Sequence, residues 1–197
     1  MKIIIAIPIA HSYFWNDSCI SQLQKFADDY VNVSNDTKLT FNSSSQDFSI
    51  FAWVKRATSN TDDYIISKED GVDNGWTMFI DSANDQVTCS VDATNVTSST
   101  AITDNNWHHV GCTIDREGNG QVYIDGHPDG SAVSASGITM TNSGDIKIGS
   151  RAYSQTDTYF DGQIDDLRIF NYALTKQQVN TVLNDGAVNF APLTGTP

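Results

Sequence analysis

Aspartate is the side chain with the most chemical reach in this sequence: of 24 acidic residues only Glu69 and Glu117 are glutamates. Its short carboxylate suits turns, where it bonds nearby backbone, and it also suits calcium, which takes hard oxygen ligands. Many of these aspartates stand beside Gly or Asn, and most read as turn and solubility residues, so a metal site requires a convergent pair or triplet. Two adjacent pairs matter here, Asp28-Asp29 and Asp165-Asp166. In the run Ile164 to Phe170, a period of two places Asp165, Leu167 and Ile169 on one face and Asp166, Arg168 and Phe170 on the other. Asp165 is therefore expected to face inward or to sit at a sheet rim. A carboxylate there needs a cation or several donors: a metal ion on one reading, backbone N–H groups or Arg168 or Arg151 on the other.

Adjacent His108 and His109 are good metal ligands by type. Neighbours on a strand point to opposite faces, so the pair cannot chelate one ion without a bulge. No G-x-S-x-G, H-E-x-x-H or phosphate-binding glycine loop occurs, and no residue is assigned a catalytic role. Ligand-binding candidates are aromatics in loops, because sugar C–H faces stack on rings while hydroxyls pair with Asp, Asn and Gln. Trp76, Tyr153 and Tyr159 fill that role, with Trp15 beside them; Tyr153 and Tyr159 flank the polar loop 154–158. Trp53, Trp107 and Phe170 are read as core.

Short alternating runs separated by turn residues, with no long helical period before residue 175, predict an all-β sandwich of one domain to position these groups. Residues 48–55 are apolar on both faces, as a central strand covered on both sides would be. Residues 92–103, rich in Ser and Thr, read as a polar loop. Trp107 to Asp115 and Gln121 to Asp125 form the clearest hairpin, and Asp125-Gly126 a tight turn. Thr175 and Gln178 form a capping box, with Leu174 stapled to Val179, so a short helix follows and plugs an end of the sandwich. Cys89 and Cys112 alternate with Val and Ile and point into the core, as buried thiols or, if their strands are neighbours, as a disulfide. Residues 1–21 read as a retained N-terminal arm or edge strand: the apolar opening contains Pro8, lacks a small-residue cleavage site and is too short to span a bilayer. Residues 22–187 form the sandwich and 188–197 a tail. The net charge of −13 repels phosphate backbones and argues against nucleic-acid partners.

Tyr159 to Leu174 (YFDGQIDDLRIFNYAL), together with Asn106 to His109 running through Val122 to Gly126, resembles the laminin-G-like jelly rolls of the concanavalin A-like lectin/glucanase superfamily. The resemblance covers about residues 22–187 and implies a two-sheet antiparallel jelly roll with one short C-terminal helix. It implies a structural calcium ion held by Asp28 or Asp29 with Asp165, joined by Asp166, although Ala27 stands where relatives usually carry glycine. It also implies a structural role for the Trp-His motif. Glucanases of the superfamily need paired carboxylates, usually glutamates close together on one strand, whereas Glu69 and Glu117 are isolated. The expected function is non-catalytic recognition of a glycan or protein surface, extracellular or on a virus particle. The alternative is a structural component of an assembly, a capsid decoration or fibre-associated protein docked, or oligomerised, through residues 1–15; a glycosidase or lyase ranks last.

Overall fold

The computed structural model describes residues 2–4, 23–24, 30–42, 44–57, 61–71, 74–140, 142–153 and 158–185. In chain order the strands are β1 (Lys2–Ile4), β2 (Leu23–Gln24), β3 (Val31–Val33), β4 (Phe48–Arg56), β5 (Asp63–Gly71), β6 (Asn74–Ile80) and β7 (Gln86–Val91). They continue with β8 (Thr94–Ala101), β9 (Trp107–Ile114), β10 (Asn119–Ile124), β11 (His127–Ser134), β12 (Ile146–Ile148) and β13 (Gly162–Phe170), before helix α1 (Lys176–Asp185). One sheet runs β1-β13-β4-β9-β10-β11, with β2 also on β13; the other runs β3-β12-β5-β6-β7-β8. All strand pairs are antiparallel. Together they make the expected jelly-roll sandwich.

The core lies between the sheets and follows the period of two. Ile50, Ala52 and Val54 of β4 and Val110, Cys112 and Ile114 of β9 face Met78, Cys89 and Ile66 of the second sheet, all buried. At one end Phe41 stacks on Phe48 at 4.6 Å, and Trp76 tilts against both. Full burial of each large apolar side chain contributes about 1.5–3 kcal/mol, so this interleaving is the main stabilising term. Cys89 of β7 and Cys112 of β9 are joined by a disulfide across it, with Cα atoms 6.5 Å apart. The pairing joins two strands that face each other from opposite sheets, a proximity that alternation alone does not reveal.

β4 is central, between β13 and β9, and its other face is covered as well. Phe51 there joins Tyr123, Phe170, Leu174, Val179 and Val182 in a second apolar cluster. Helix α1 thus packs on the outer face of the first sheet rather than plugging an end. Gly111 permits this layer, because a Cβ at that position would come within 2.3 Å of the Phe51 ring. The cap is as expected: the Gln178 N–H donates to Thr175 Oγ1, and the Thr175 N–H donates to Gln178 Oε1 at 2.9 Å. Asp125 and Gly126 both take positive φ, 50° and 77°, the geometry of a tight hairpin turn.

Two readings change. Residues 94–101 are strand β8, not a loop: they pair with β7 and turn Val96 into the core. The Ser and Thr residues around it suit a pleated surface with one polar face. In β13 the pairing slips between Asp165 and Arg168, where Asp166 adopts φ 46°. This irregularity breaks the period of two, so Ile164, Leu167 and Ile169 face the core while Asp165 pairs opposite Trp53 on the other face. Lys2–Ile4 of the expected arm pair with β13 of their own chain.

Replacing both Cys89 and Cys112 by Ala is expected to lower stability by about 3 kcal/mol, the chain-entropy contribution of a cross-link of this span. Urea unfolding of the oxidised parent and the double variant measures it; equal midpoints would remove the bridge from the account of stability.

Candidate functional site

The alternation that fills the core also builds a cleft on the outer surface of the second sheet. In β12, Ile146 and Ile148 point inward, which turns Lys147 outward; in β3, Val31 and Val33 pack on the core, which turns Asn32 outward beside it. Ser67 of β5 pairs with Lys147 on its other side. Tyr30, Glu69, Asp70, Asp145, Lys147 and Tyr153 line an open cavity of about 570 Å³ here, together with Asn32 and backbone around Gly144 and Ala152.

The carboxylates are already held by protein donors. Asp145 accepts from Asn32 Nδ2 and the Asn35 N–H, both at 2.9 Å, and these bonds hold its carboxyl below the usual range. Asp70 accepts from the Ser143 N–H at 2.7 Å and from Asn74 Nδ2. Glu69 forms an ion pair with Arg151 at 3.0 Å and accepts from Ser67 Oγ. Lys147 differs: it is 6% exposed, and among the described residues no atom hydrogen-bonds its Nζ. The ammonium lies 4.6 Å from the centre of the Tyr30 ring, a cation–π contact, and burial lowers its pKa against the pull of Asp145. Tyr30 in turn stacks on Tyr159 at 6.5 Å, and Tyr30 and Tyr153 are both well exposed. The site therefore presents one donor cation, several ordered acceptors and exposed aromatic faces.

Of the aromatics expected to bind ligand, Tyr153 lines the cleft and Tyr159 stands behind Tyr30, while most of the loop they flank, 154–157, lies outside the described residues, as does Trp15. Trp76 is corrected: it lies in β6 with 1% exposure, and its Nε1 donates to the Leu39 carbonyl at 3.1 Å. The turn glycine before it suggested a loop, but Gly75 already belongs to the strand. Tyr30, Asn32 and Lys147 escaped the sequence reading. For Asn32 and Lys147 the signal was a polar residue between two β-branched ones, Val-Asn-Val and Ile-Lys-Ile, which marks an outward position on a one-sided strand.

Of the expected metal residues, Asp165 and Asp166 lie on β13 and do not line this cleft. Asp28 and Asp29 lie outside the described residues. Asp165 accepts the Asp166 N–H at 2.7 Å, and Asp166 Oδ1 accepts from Arg168 Nε at 2.7 Å, while Asp166 Oδ2 is buried without a hydrogen-bond partner. Among the described residues no three His, Cys, Asp or Glu side chains are grouped to hold an ion. His108 and His109 point to opposite faces: His108 bonds Asp104 and Asp125, whereas His109 stacks on Phe51 and tilts against Trp53.

With the geometry in place, the class is a concanavalin A-like jelly roll. Residues 25–180 match the laminin-G-type family model described as the Concanavalin A-like lectin/glucanases superfamily, and the chain belongs to that family. Among solved structures, it is similar in fold to a candidate carbohydrate-binding protein from Bacteroides ovatus, with TM-score 0.66 and 20% identity over 82% of this chain and 46% of that one. The botulinum neurotoxin serotype G binding domain matches at TM-score 0.62 and 20% identity, over 85% of this chain and 47% of that one. A heptameric pentraxin of Limulus polyphemus matches at TM-score 0.54 and 19% identity, over 71% and 70%. The chain thus spans less than half of the first two.

Burial pushes the His109 imidazole down to about 4, against the pull of Asp166 and Asp125. An unfolded histidine takes its proton near pH 6.5. The unfolded chain therefore binds the proton first, and stability that is complete above 6.5 is lost as pH falls from 6.5 toward 4. His109→Gln is expected to flatten the fall in unfolding midpoint across that window; an unchanged slope would exclude His109 as its source.

Proposed function

We propose that the chain is a non-catalytic recognition module whose outer cleft takes a glycan. The observation that carries this reading is the convergence of Tyr30 and Tyr153, exposed, with Lys147 and three ordered carboxylates around one cavity. A sugar ring offers an apolar face for the tyrosines and hydroxyls for the polar groups, and a cleft of this size accommodates one or two rings. The lectin-containing family and the carbohydrate-binding description of the Bacteroides relative support the same reading. The Cys89–Cys112 disulfide supports an extracellular setting, because such bridges persist in oxidising compartments. Among the described residues no helix is long and apolar enough to cross a membrane. The assembly reading, a decoration protein docked through residues 1–15, has less support, since Lys2–Ile4 are already used within their own sheet.

Tyr153→Ala is expected to weaken binding to the best ligand of an immobilised glycan panel about tenfold, the loss of one stacking contact, with the melting temperature unchanged. A panel on which the parent protein retains no glycan at all would refute the glycan reading and turn attention to protein partners.

Calcium enters the proposal only as a stabilising ion, shared by Asp165 and Asp166 with Asp28 or Asp29. The unpartnered Asp166 Oδ2 favours it, while the Arg168 pairing opposes it. Its expected signature is a melting temperature that falls on chelation and recovers with added calcium; an identical melt in both conditions rejects the ion.

A further inference from the structure

The cleft combines two demands that few ligands meet together. Lys147, 6% exposed, lines the cavity, and its buried Nζ under the Tyr30 ring has no hydrogen-bond partner among the described residues. A buried ammonium in that state gains strongly from an acceptor oxygen delivered by a ligand. Asp70, Asp145 and Glu69 line the same cavity and offer only acceptor oxygens. Each is held in place by neighbours, Asp145 by Asn32 and Asn35, Asp70 by Ser143 and Asn74, and Glu69 by Arg151 and Ser67. These carboxylates therefore welcome a ligand that donates.

A hydroxyl group does both, accepting from Lys147 while donating to a carboxylate. An anionic group answers Lys147 alone. It brings no proton for the carboxylates and meets their charge at short range, within a chain of net charge −13. Of the nearby cations, Arg151 is paired with Glu69, and Lys68 already donates to Asn35 and the Gly144 carbonyl while facing Asp145 and Asp70, so the local charges nearly balance and leave no excess of cation to hold an anionic group. From this balance we infer that the cleft selects neutral, hydroxyl-rich saccharides over sialylated, sulfated or uronate-bearing ones, with Lys147 as the donor that anchors a sugar hydroxyl or ring oxygen. Tyr153 supplies the stacking face, and Tyr30 holds the Lys147 stem and charge in position. The inference rests on the glycan reading and gives it a ligand class and an anchoring residue.

The test uses the full chain on matched pairs of immobilised oligosaccharides, each neutral chain beside its sialylated or sulfated derivative. Neutral members are expected to bind at least tenfold more tightly than their acidic partners, with the gap narrowing as salt screens the carboxylates. Lys147→Met keeps the stem and removes the donor, and is expected to lose at least tenfold on the neutral members; Lys147→Arg restores part of that loss. Asp70→Asn removes one carboxylate charge and keeps an acceptor oxygen, so it is expected to raise the ratio of acidic to neutral binding whatever it does to the neutral members alone, and it reads the selection even if Lys147→Met does not fold. Acidic members that bind as tightly as neutral ones would overturn the selection while leaving the glycan reading intact. Folded Lys147→Met that binds like the parent would overturn the anchor. Loss of every glycan signal in the parent protein would instead overturn the glycan reading, and this inference with it.

Discussion

One guanidinium holds the sandwich together at the end where the chain passes from one sheet to the other. Arg56 closes β4 of the first sheet, and its Nε donates to Asp63, which opens β5 of the second, at 2.6 Å with both side chains buried. The same guanidinium reaches Asp85 in the turn before β7 and the Ile102 carbonyl after β8. Asp63 in turn accepts the Asp161 N–H just before β13. Burial works against the Arg56 charge, but the bonds to Asp63 and Asp85 outweigh it and raise its pKa. Several segments far apart in sequence therefore share one charge, and removing either member of such a buried pair leaves the other uncompensated, at a cost of about 3–5 kcal/mol.

The cleft inherits its geometry from that anchor. β5 starts at Asp63 and delivers Glu69 and Asp70 at its far end, while the Asp161 bond sets the return of the chain through Tyr159 into β13. Between these limits the Gly149 N–H donates to the Ile65 carbonyl and the Ala152 N–H to Ser67 Oγ, which ties residues 149–152 to β5. Arg151 and Tyr153 are thus carried by a stretch bonded to β5 at Gly149 and Ala152. Support of this kind limits the ordering cost that any ligand of the proposed site would meet.

The two faces of each sheet divide the labour. Inward residues are mostly apolar, with the buried Lys68 an exception on β5, whereas the outward residues of β3, β5 and β12 are chemically varied: Asn32, Ser67, Glu69 and Lys147. The outer surface of the first sheet is used otherwise, closed by α1 over Phe51, Tyr123 and Phe170, with His109 and Trp53 beside that cluster. A fold with two outer surfaces thus covers one with a helix and leaves the other open as the cleft.

Local chemistry was legible in the sequence. Alternation in β4 and β9, the Asp125-Gly126 turn and the Thr175–Gln178 cap each depend on residues within a few positions of one another, and the sequence by itself determined them. The two-layer sandwich and the central place of β4 followed from apolar residues on one face or both. Contacts between distant segments were decided only by the tertiary structure. The slip at Asp166 reversed the face assigned to Asp165, β7 drew residues 94–101 into a strand, Cys89 met Cys112 across the core, and α1 found the outer face of the first sheet. The cleft belongs to this second kind. Tyr30, Lys147 and Tyr153 come from three stretches of chain, and no pattern within any one of them encodes the other two. Their meeting depends on which strands pair, and pairing is selected by the burial of the whole core rather than by any local preference.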